Sequence, residues 1–180
     1  MAQETLQVDT LTDSGSFGTS SGSDYEADVS DNDDGSFNTA SSVTTITYDM
    51  KPSVALGGSD TINFVRLVAR FARGSGSQAR GILNADTTAD ESGTVESGSL
   101  HVSTSPDFAD FSDDFATFNG VDPWTESLVD QLAIQFQRTG VGTSQLQLSE
   151  LYAIVDYTPA AGSKMRRGFG LRLGSRTLRG

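Results

Sequence analysis

The densest group of potential ligands is Asp31-Asn32-Asp33-Asp34-Gly35. Closely spaced carboxylates ahead of a glycine turn could wrap a hard cation such as Ca²⁺ through Asp31, Asp33 and Asp34. Ser42 stands where an EF-hand would place its acidic twelfth residue, and a solvated acidic loop explains the same residues without metal. A second acidic run, Asp107, Asp110, Asp113 and Asp114, lies beside phenylalanines and fits a solvated face. Two carboxylates ~5 Å or ~9 Å apart could hydrolyse a glycoside, but with 24 acidic residues some pair always looks suitable. The chain is therefore read as non-enzymatic and without an organic cofactor. Cysteine is absent and histidine occurs once, at His101, which excludes disulfides, thiol nucleophiles and any two-histidine metal site within the chain. Trp124 and Tyr25 are rings that could stack on a sugar, although Trp124 is placed to pack at a domain end.

These residues need elements to hold them, and the pattern of the chain is that of strands. In QLAIQFQR, Leu132, Ile134 and Phe136 alternate with Gln131, Ala133, Gln135 and Gln137, as expected for a half-buried strand. VTTITYDM sets Ile46, Tyr48 and Met50 against Thr45, Thr47 and Asp49, and SLHVST sets Leu100 and Val102 against His101 and Ser103. TINFVRLVARFAR also satisfies a helical spacing, but its β-branched content favours a strand with Val65, Leu67, Ala69 and Phe71 on one face and Arg66 and Arg70 on the other. In QLQLSELYAIVDY the apolar phase shifts from Leu146 and Leu148 to Leu151, Val155 and Tyr157, which predicts a bulge or burial of both faces. Phe108, Phe111, Phe115 and Phe118 could form an aromatic stripe on a helix or simply pack in the core. One short helix has a start signal, with Asp122 as N-cap and Pro123 at the first helical position.

Ser, Thr and Gly make up over a third of the 180 residues and recur as short clusters between apolar runs, the punctuation of an all-β domain. The expected organisation is an N-terminal arm over 1–23, flexible or ordered by a partner, a β-sandwich of about eight strands over 24–158, and a basic C-terminal arm over 159–180. No run approaches the ~18 apolar residues of a spanning helix, so no membrane association is expected. The start MAQETLQVDT has no charged-then-apolar leader pattern.

Residues 1–162 hold all 24 acids and six basic residues, a net −18, whereas 163–180 hold six basic residues and no acid. The acids are 18 Asp against 6 Glu and the bases 10 Arg against 2 Lys, a halophile-like balance in which self-repulsion is screened by molar salt. In the tail, Arg166, Arg167, Arg172, Arg176 and Arg179 alternate with Phe169 and Leu171 among other apolar residues. Arginines alone would suit nucleic acid, but aliphatic and aromatic anchors suit a protein partner, and the acidic body disfavours nucleic acid.

The order of segments resembles the jelly-roll virion proteins of tailed phages and their haloarchaeal relatives. The resemblance spans about 135 residues and rests on DYEADVSDNDDGSF, VRLVARFARGSGSQARGIL, FSDDFATFNGVDPWTESLVDQLAIQF and QLSELYAIVDY. Its most specific element is the turn Asp122-Pro123-Trp124-Thr125, where the glycine-containing insertion usual in the family falls before the proline as Asn119-Gly120. The resemblance implies a jelly-roll β-sandwich with one short helix and extended arms. It also implies a non-enzymatic virion component, either a capsid decoration or cement protein or a turret subunit, found in the virion and in the host cytoplasm during assembly. Its partners would be the major capsid protein or adjacent head and tail subunits, bound through the basic arm, and its own oligomer a trimer or pentamer. The alternative is a jelly-roll module that binds host-surface glycan or sits on a tail or fibre.

Overall fold

The computed structural model describes residues 1–19, 24–30, 34–87, 96–118, 120–140 and 144–161. The alternating segments are strands: β4 (Thr44–Met50), β5 (Thr61–Ser75), β7 (Glu96–Ser103) and β11 (Leu132–Arg138). With β1 (Ala2–Asp13), β6 (Ala79–Thr87), β8 (Ala109–Phe115) and β12 (Gln145–Thr158) they build two antiparallel layers. The first layer runs β8–β5–β12–β1, extended beside the start of β12 by β3 (Asn38–Ala40) and β2 (Gly18–Thr19). The second runs β1–β4–β11–β6–β7. A short ribbon, β9 (Thr117–Phe118) with β10 (Asp122–Pro123), and two single-turn helices, α1 (Ala27–Ser30) and α2 (Glu126–Val129), complete the described elements. Among the described residues no helix is long and apolar enough to cross a membrane.

β1 belongs to both layers. Its first half pairs with β12, from Ala2↔Tyr157 to Gln7↔Tyr152, and its second half pairs with β4, from Val8↔Met50 to Asp13↔Thr47 with two bulges. This corrects the expected flexible N-terminal arm over 1–23: Leu6 and Val8 are buried at 2% and 3% exposure, and Phe17 just beyond them is also in the core. Two apolar residues per half-strand, diluted by Thr, Gln and Asp, suffice because the neighbouring strands supply the rest of the burial. Beyond Thr19, residues 20–23 lie outside the described residues, as do residues 162–180, the bulk of the expected basic arm.

The core lies between the layers. Val65, Leu67, Ala69 and Phe71 of β5 face Ile134 and Phe136 of β11, with Ile46 and Tyr48 of β4 beside them. The Phe71 and Phe136 rings meet across the gap with centroids 5.5 Å apart, and Phe17 approaches Phe136 at 6.4 Å. Each such buried ring contributes about 1.5–3 kcal/mol by leaving water. β12 keeps the core supplied on both sides of a register shift between Leu148 and Glu150: Leu146 and Leu148 point inward before it, Leu151, Ala153 and Val155 after it. The phase change in the sequence is this bulge.

Two local expectations are resolved. Phe111 and Phe115 lie in β8 and Phe118 in β9, with Phe111 stacked on Phe71 at 4.2 Å and Phe115 and Phe118 buried, so of the two alternatives core packing holds and the helical stripe does not. The helix starts three residues later than expected: Thr125 is the N-cap, its Oγ1 accepting from the Leu128 N–H at 3.2 Å, while Asp122 and Pro123 pair with Phe118 and Thr117 in the ribbon. Trp124 is buried at the domain end and donates its indole N–H to the Phe115 carbonyl at 2.9 Å.

The edge opposite β1 is stitched by side chains. His101 Nε2 on β7 lies 2.8 Å from Asp113 Oδ2 on β8, and the Ser99 N–H donates to Asp113 Oδ1 at 3.1 Å. The approach depends on Gly98, where an added Cβ would overlap the Asp113 carboxylate and fall 2.6 Å from the Leu83 carbonyl oxygen. Gly98→Ala is expected to destabilise the fold by about 1–3 kcal/mol through overpacking, read as a lowered midpoint in chemical denaturation.

Candidate functional site: the outer face of the first layer

Because Val65, Leu67, Ala69 and Phe71 point inward, Arg66, Val68 and Arg70 lie on the outer face of β5, and the β12 bulge puts Glu150, Tyr152, Ile154 and Asp156 beside them. The register then builds rows across four strands. Asp110, Arg70 and Glu150 form one row. Ser112, Val68, Tyr152 and Gln7 form the next, and Asp114, Arg66, Ile154 and Thr5 the third.

Ion pairs fix the polar groups. Arg70 donates from Nε and Nη2 to the two oxygens of Asp34, both at 2.8 Å, and from Nη1 to Asp110 Oδ1 at 3.0 Å; Glu150 Oε1 lies 4.0 Å from Arg70 Nε. Ser149, the fully buried residue at the bulge, reaches Asp34 Oδ1 at 3.0 Å through its hydroxyl. Arg66 pairs with Asp114 through two bonds of 2.5 and 2.8 Å. Hydrogen bonds from Arg70, with help from Ser149, hold the Asp34 carboxyl below its ordinary value of 3.8, and Arg66 does the same for Asp114. The reciprocal bonds push the Arg70 guanidinium up. Burial first, and then the charges of Asp110 and Glu150, push the Tyr152 phenol up, so it stays neutral at ordinary pH.

Helix α1, with Val29 buried, stands over the β1–β12 side of this face. Between it and the sheet lies a cavity of about 380 Å³ lined by Thr5, Gln7, Val29, Ser30, Glu150 and Tyr152. A second cavity of about 270 Å³ is lined by Asp34, Arg70, Asp110, Glu150 and Tyr152. Glu150 and Tyr152 belong to both, so the two are lobes of one groove with the tyrosine ring at their junction.

The residues singled out in the sequence fall differently from expectation. Asp34 is not a free metal ligand, because both of its oxygens are engaged by Arg70; Asp31 and Asp33 lie outside the described residues. Among the described residues, no group of three His, Cys, Asp or Glu side chains could hold a metal ion. The arm residues Arg166, Arg167, Phe169, Leu171, Arg172, Arg176 and Arg179 also lie outside the described residues. Trp124 is buried and so presents no stacking face, and Tyr25, partly buried, packs against the core with its hydroxyl donating to the Phe17 carbonyl at 2.9 Å. Of the second acidic run, Asp110 and Asp114 meet arginines and Asp113 meets His101. The sequence reading missed Arg66, Arg70 and Tyr152. A signal was present, since Arg66/Arg70 and Asp110/Asp114 share a four-residue spacing that opposite charges on paired strands require.

No protein-family model matches the chain, and no curated protein does. Among solved structures, the xylan-binding module CBM15 aligns at 14% identity over 86% of this chain and 97% of its own, with a TM-score of 0.50. CBM29_1, a family 29 carbohydrate-binding module from Piromyces equi, aligns at 11% identity over 87% and 93%, TM-score 0.45. TmCBM61, solved in complex with β-1,4-galactotriose, aligns at 7% identity over 86% and 88%, TM-score 0.43. The chain has the jelly-roll sandwich of the xylan-binding module. The expectation of a virion structural protein is thereby corrected: the solved structure whose fold the chain shares at a TM-score of 0.50 is a xylan-binding module. The ordered segments and the Asp122-Pro123-Trp124-Thr125 turn specify a jelly-roll scaffold, and a scaffold does not carry an assembly role with it. The capsid-decoration and turret assignments, and the haloarchaeal virion resemblance they came from, fall with that expectation.

The lowered carboxyls of Asp34 and Asp114 have a direct consequence for stability. Below the ordinary carboxylate value the unfolded chain binds protons that the folded chain refuses, so the contribution present at neutral pH is lost as pH falls through the lowered values. The melting temperature is expected to fall steadily below about pH 4. The Asp34→Asn, Asp114→Asn double variant should show a shallower fall over the same thermal melts.

Proposed function

We propose that this chain is a glycan-binding jelly-roll module that holds a saccharide in the groove on the outer face of the β8–β5–β12–β1 layer, without transforming it. The observation that carries the reading is the half-buried Tyr152 ring at the junction of the two lobes, flanked by hydrogen-bonding groups already fixed by ion pairs. A pyranose presents apolar C–H faces and a rim of hydroxyls that both donate and accept. An aromatic ring covers the first, and rigid carboxylates and guanidinium groups satisfy the second. Arg70 uses three of its five N–H groups on Asp34 and Asp110, leaving two for a ligand, and Asp110 binds it through Oδ1, leaving Oδ2 to accept. Because these groups are held before the sugar arrives, little side-chain freedom is lost on binding. Each lobe is of the size that takes one or two sugar rings, near the lower range of ligand sites at roughly 300 Å³. The solved structure that shares this fold is named as a xylan-binding module, which supports the reading.

Isothermal titration against a panel of soluble oligosaccharides, neutral xylo-oligomers included, tests it. Tyr152→Ala is expected to weaken binding by about ten-fold or more, as truncation of a central aromatic anchor does, with the melting temperature nearly unchanged. Undiminished binding by that variant would place the ligand elsewhere.

A further inference from the structure

The groove has a direction. Each strand of the layer gives its floor one or two outward residues: Asp110 from β8, Arg70 from β5, Glu150 and Tyr152 from β12, Thr5 and Gln7 from β1. The registers place Asp110, Arg70 and Glu150 in one row and Tyr152 and Gln7 in the next. Along any one strand the lining therefore covers no more than two successive outward positions, about 7 Å of strand. Across the strands it covers the three gaps from β8 to β1, about 14 Å in all. The long axis runs across the strands, with Arg70 and the Tyr152 ring on the two central ones. Val29 and Ser30 flank the lobe over β12 and β1, and Asp34 flanks the lobe over β5, so the wall follows the same axis. A ligand that fills such a groove is a straight row of rings spaced like strands. β-1,4-linked pyranoses with equatorial linkages form a flat, extended ribbon whose ring-to-ring repeat is close to the gap between strands. An α-1,4-linked chain turns at every linkage and leaves a straight row after two rings.

We infer that the groove takes a linear β-1,4-linked chain laid across the strands, one ring to each of the four strands, with one ring stacked on Tyr152. This rests on the glycan-binding reading and adds the linkage class and the length of the bound stretch to it. A two-ring ligand is expected over β12 and β5, where the Tyr152 ring adjoins the two N–H groups of Arg70 that Asp34 and Asp110 do not use. Longer ligands add a ring over β1, beside the exposed Gln7, and a ring over β8, beside the exposed Asp110. Beyond these strands the lining offers a further ring nothing to meet.

The test titrates the full chain with β-1,4-linked oligomers of glucose and of xylose, and with α-1,4-linked oligomers of glucose, each from two to six rings. In at least one β-1,4 series the affinity is expected to rise by roughly five-fold or more per ring up to four rings and then to level off, while the α-1,4 series levels off at two. Gln7→Ala is expected to lower the ratio of four-ring to two-ring affinity by roughly three-fold or more, as loss of one contact over β1 does. Equal ladders for the two linkages, a β-1,4 ladder that is flat beyond two rings, or one that climbs unchanged to six overturns the inference. So does a ladder that Gln7→Ala leaves intact, which would put the long axis elsewhere. If binding is abolished by Tyr152→Ala but the ladders show any of these forms, only this inference falls. If no series binds, or binding is undiminished in Tyr152→Ala, the reading of the groove as a glycan site fails with it.

Discussion

The register shift at Ser149 is the constraint on which the rest of this molecule depends. One extra residue in β12 lets Leu146 and Leu148 fill the core before it and Leu151, Ala153 and Val155 after it, on opposite sequence parities. The same shift decides what faces outward: without it Glu150 and Tyr152 would point into the core, and a carboxylate there would be very costly. Ser149, fully buried at the shift, contributes its hydroxyl to Asp34, which in turn holds Arg70. The irregularity that a regular strand would avoid therefore builds the groove and stiffens its polar wall.

The two layers are held at both edges by different means. On one side β1 changes layers along its own length, so the sheets share a strand. On the other side, His101 and Ser99 of β7 grip Asp113 of β8, a polar seam where no strand is shared. Between them the core is closed by the aromatic contact of Phe71 with Phe136 and of Phe111 with Phe71. The groove lies on the outside of the layer held by the shared strand, where Thr5 and Gln7 of β1 are its floor on one side. Rigidity of the scaffold and pre-set geometry of the groove thus have a common source.

Strands whose alternation is complete were legible from residues alone: β4, β5 and β11 place the same side chains inward that the period-2 pattern marks, and the phase change in β12 is a bulge. Where the alternation is broken by function, it was not. In β8 the inward positions Phe111 and Phe115 are separated by Asp113, which serves the seam with His101 instead of the core, so the spacing of phenylalanines resembled a helix. In β1 the outward residues are Gln3, Thr5 and Gln7, the inward parity includes Glu4, and only Leu6 and Val8 mark the buried side, a signal too thin to separate from a flexible segment. The helix start was displaced because Asp122 and Thr125 offer the same capping chemistry, and only the pairing of Pro123 with Thr117 decides between them. The groove was hidden for a further reason. Asp34 acquires its partner Arg70 from 36 residues away, and no local pattern carries that pairing. The identity of the fold was legible, but the role attached to it through a virion resemblance was not, because turns and strand order describe a scaffold shared by many functions.

The most direct test of this account is a map of backbone amide chemical shifts as a soluble oligosaccharide is added to the ¹⁵N-labelled chain. The account predicts saturable shifts concentrated at Thr5, Gln7, Arg70, Asp110, Glu150 and Tyr152, with the second layer and the β7–β8 seam silent. Saturable shifts confined to loops at the ends of the sandwich, or to the outer face of the second layer, would contradict it.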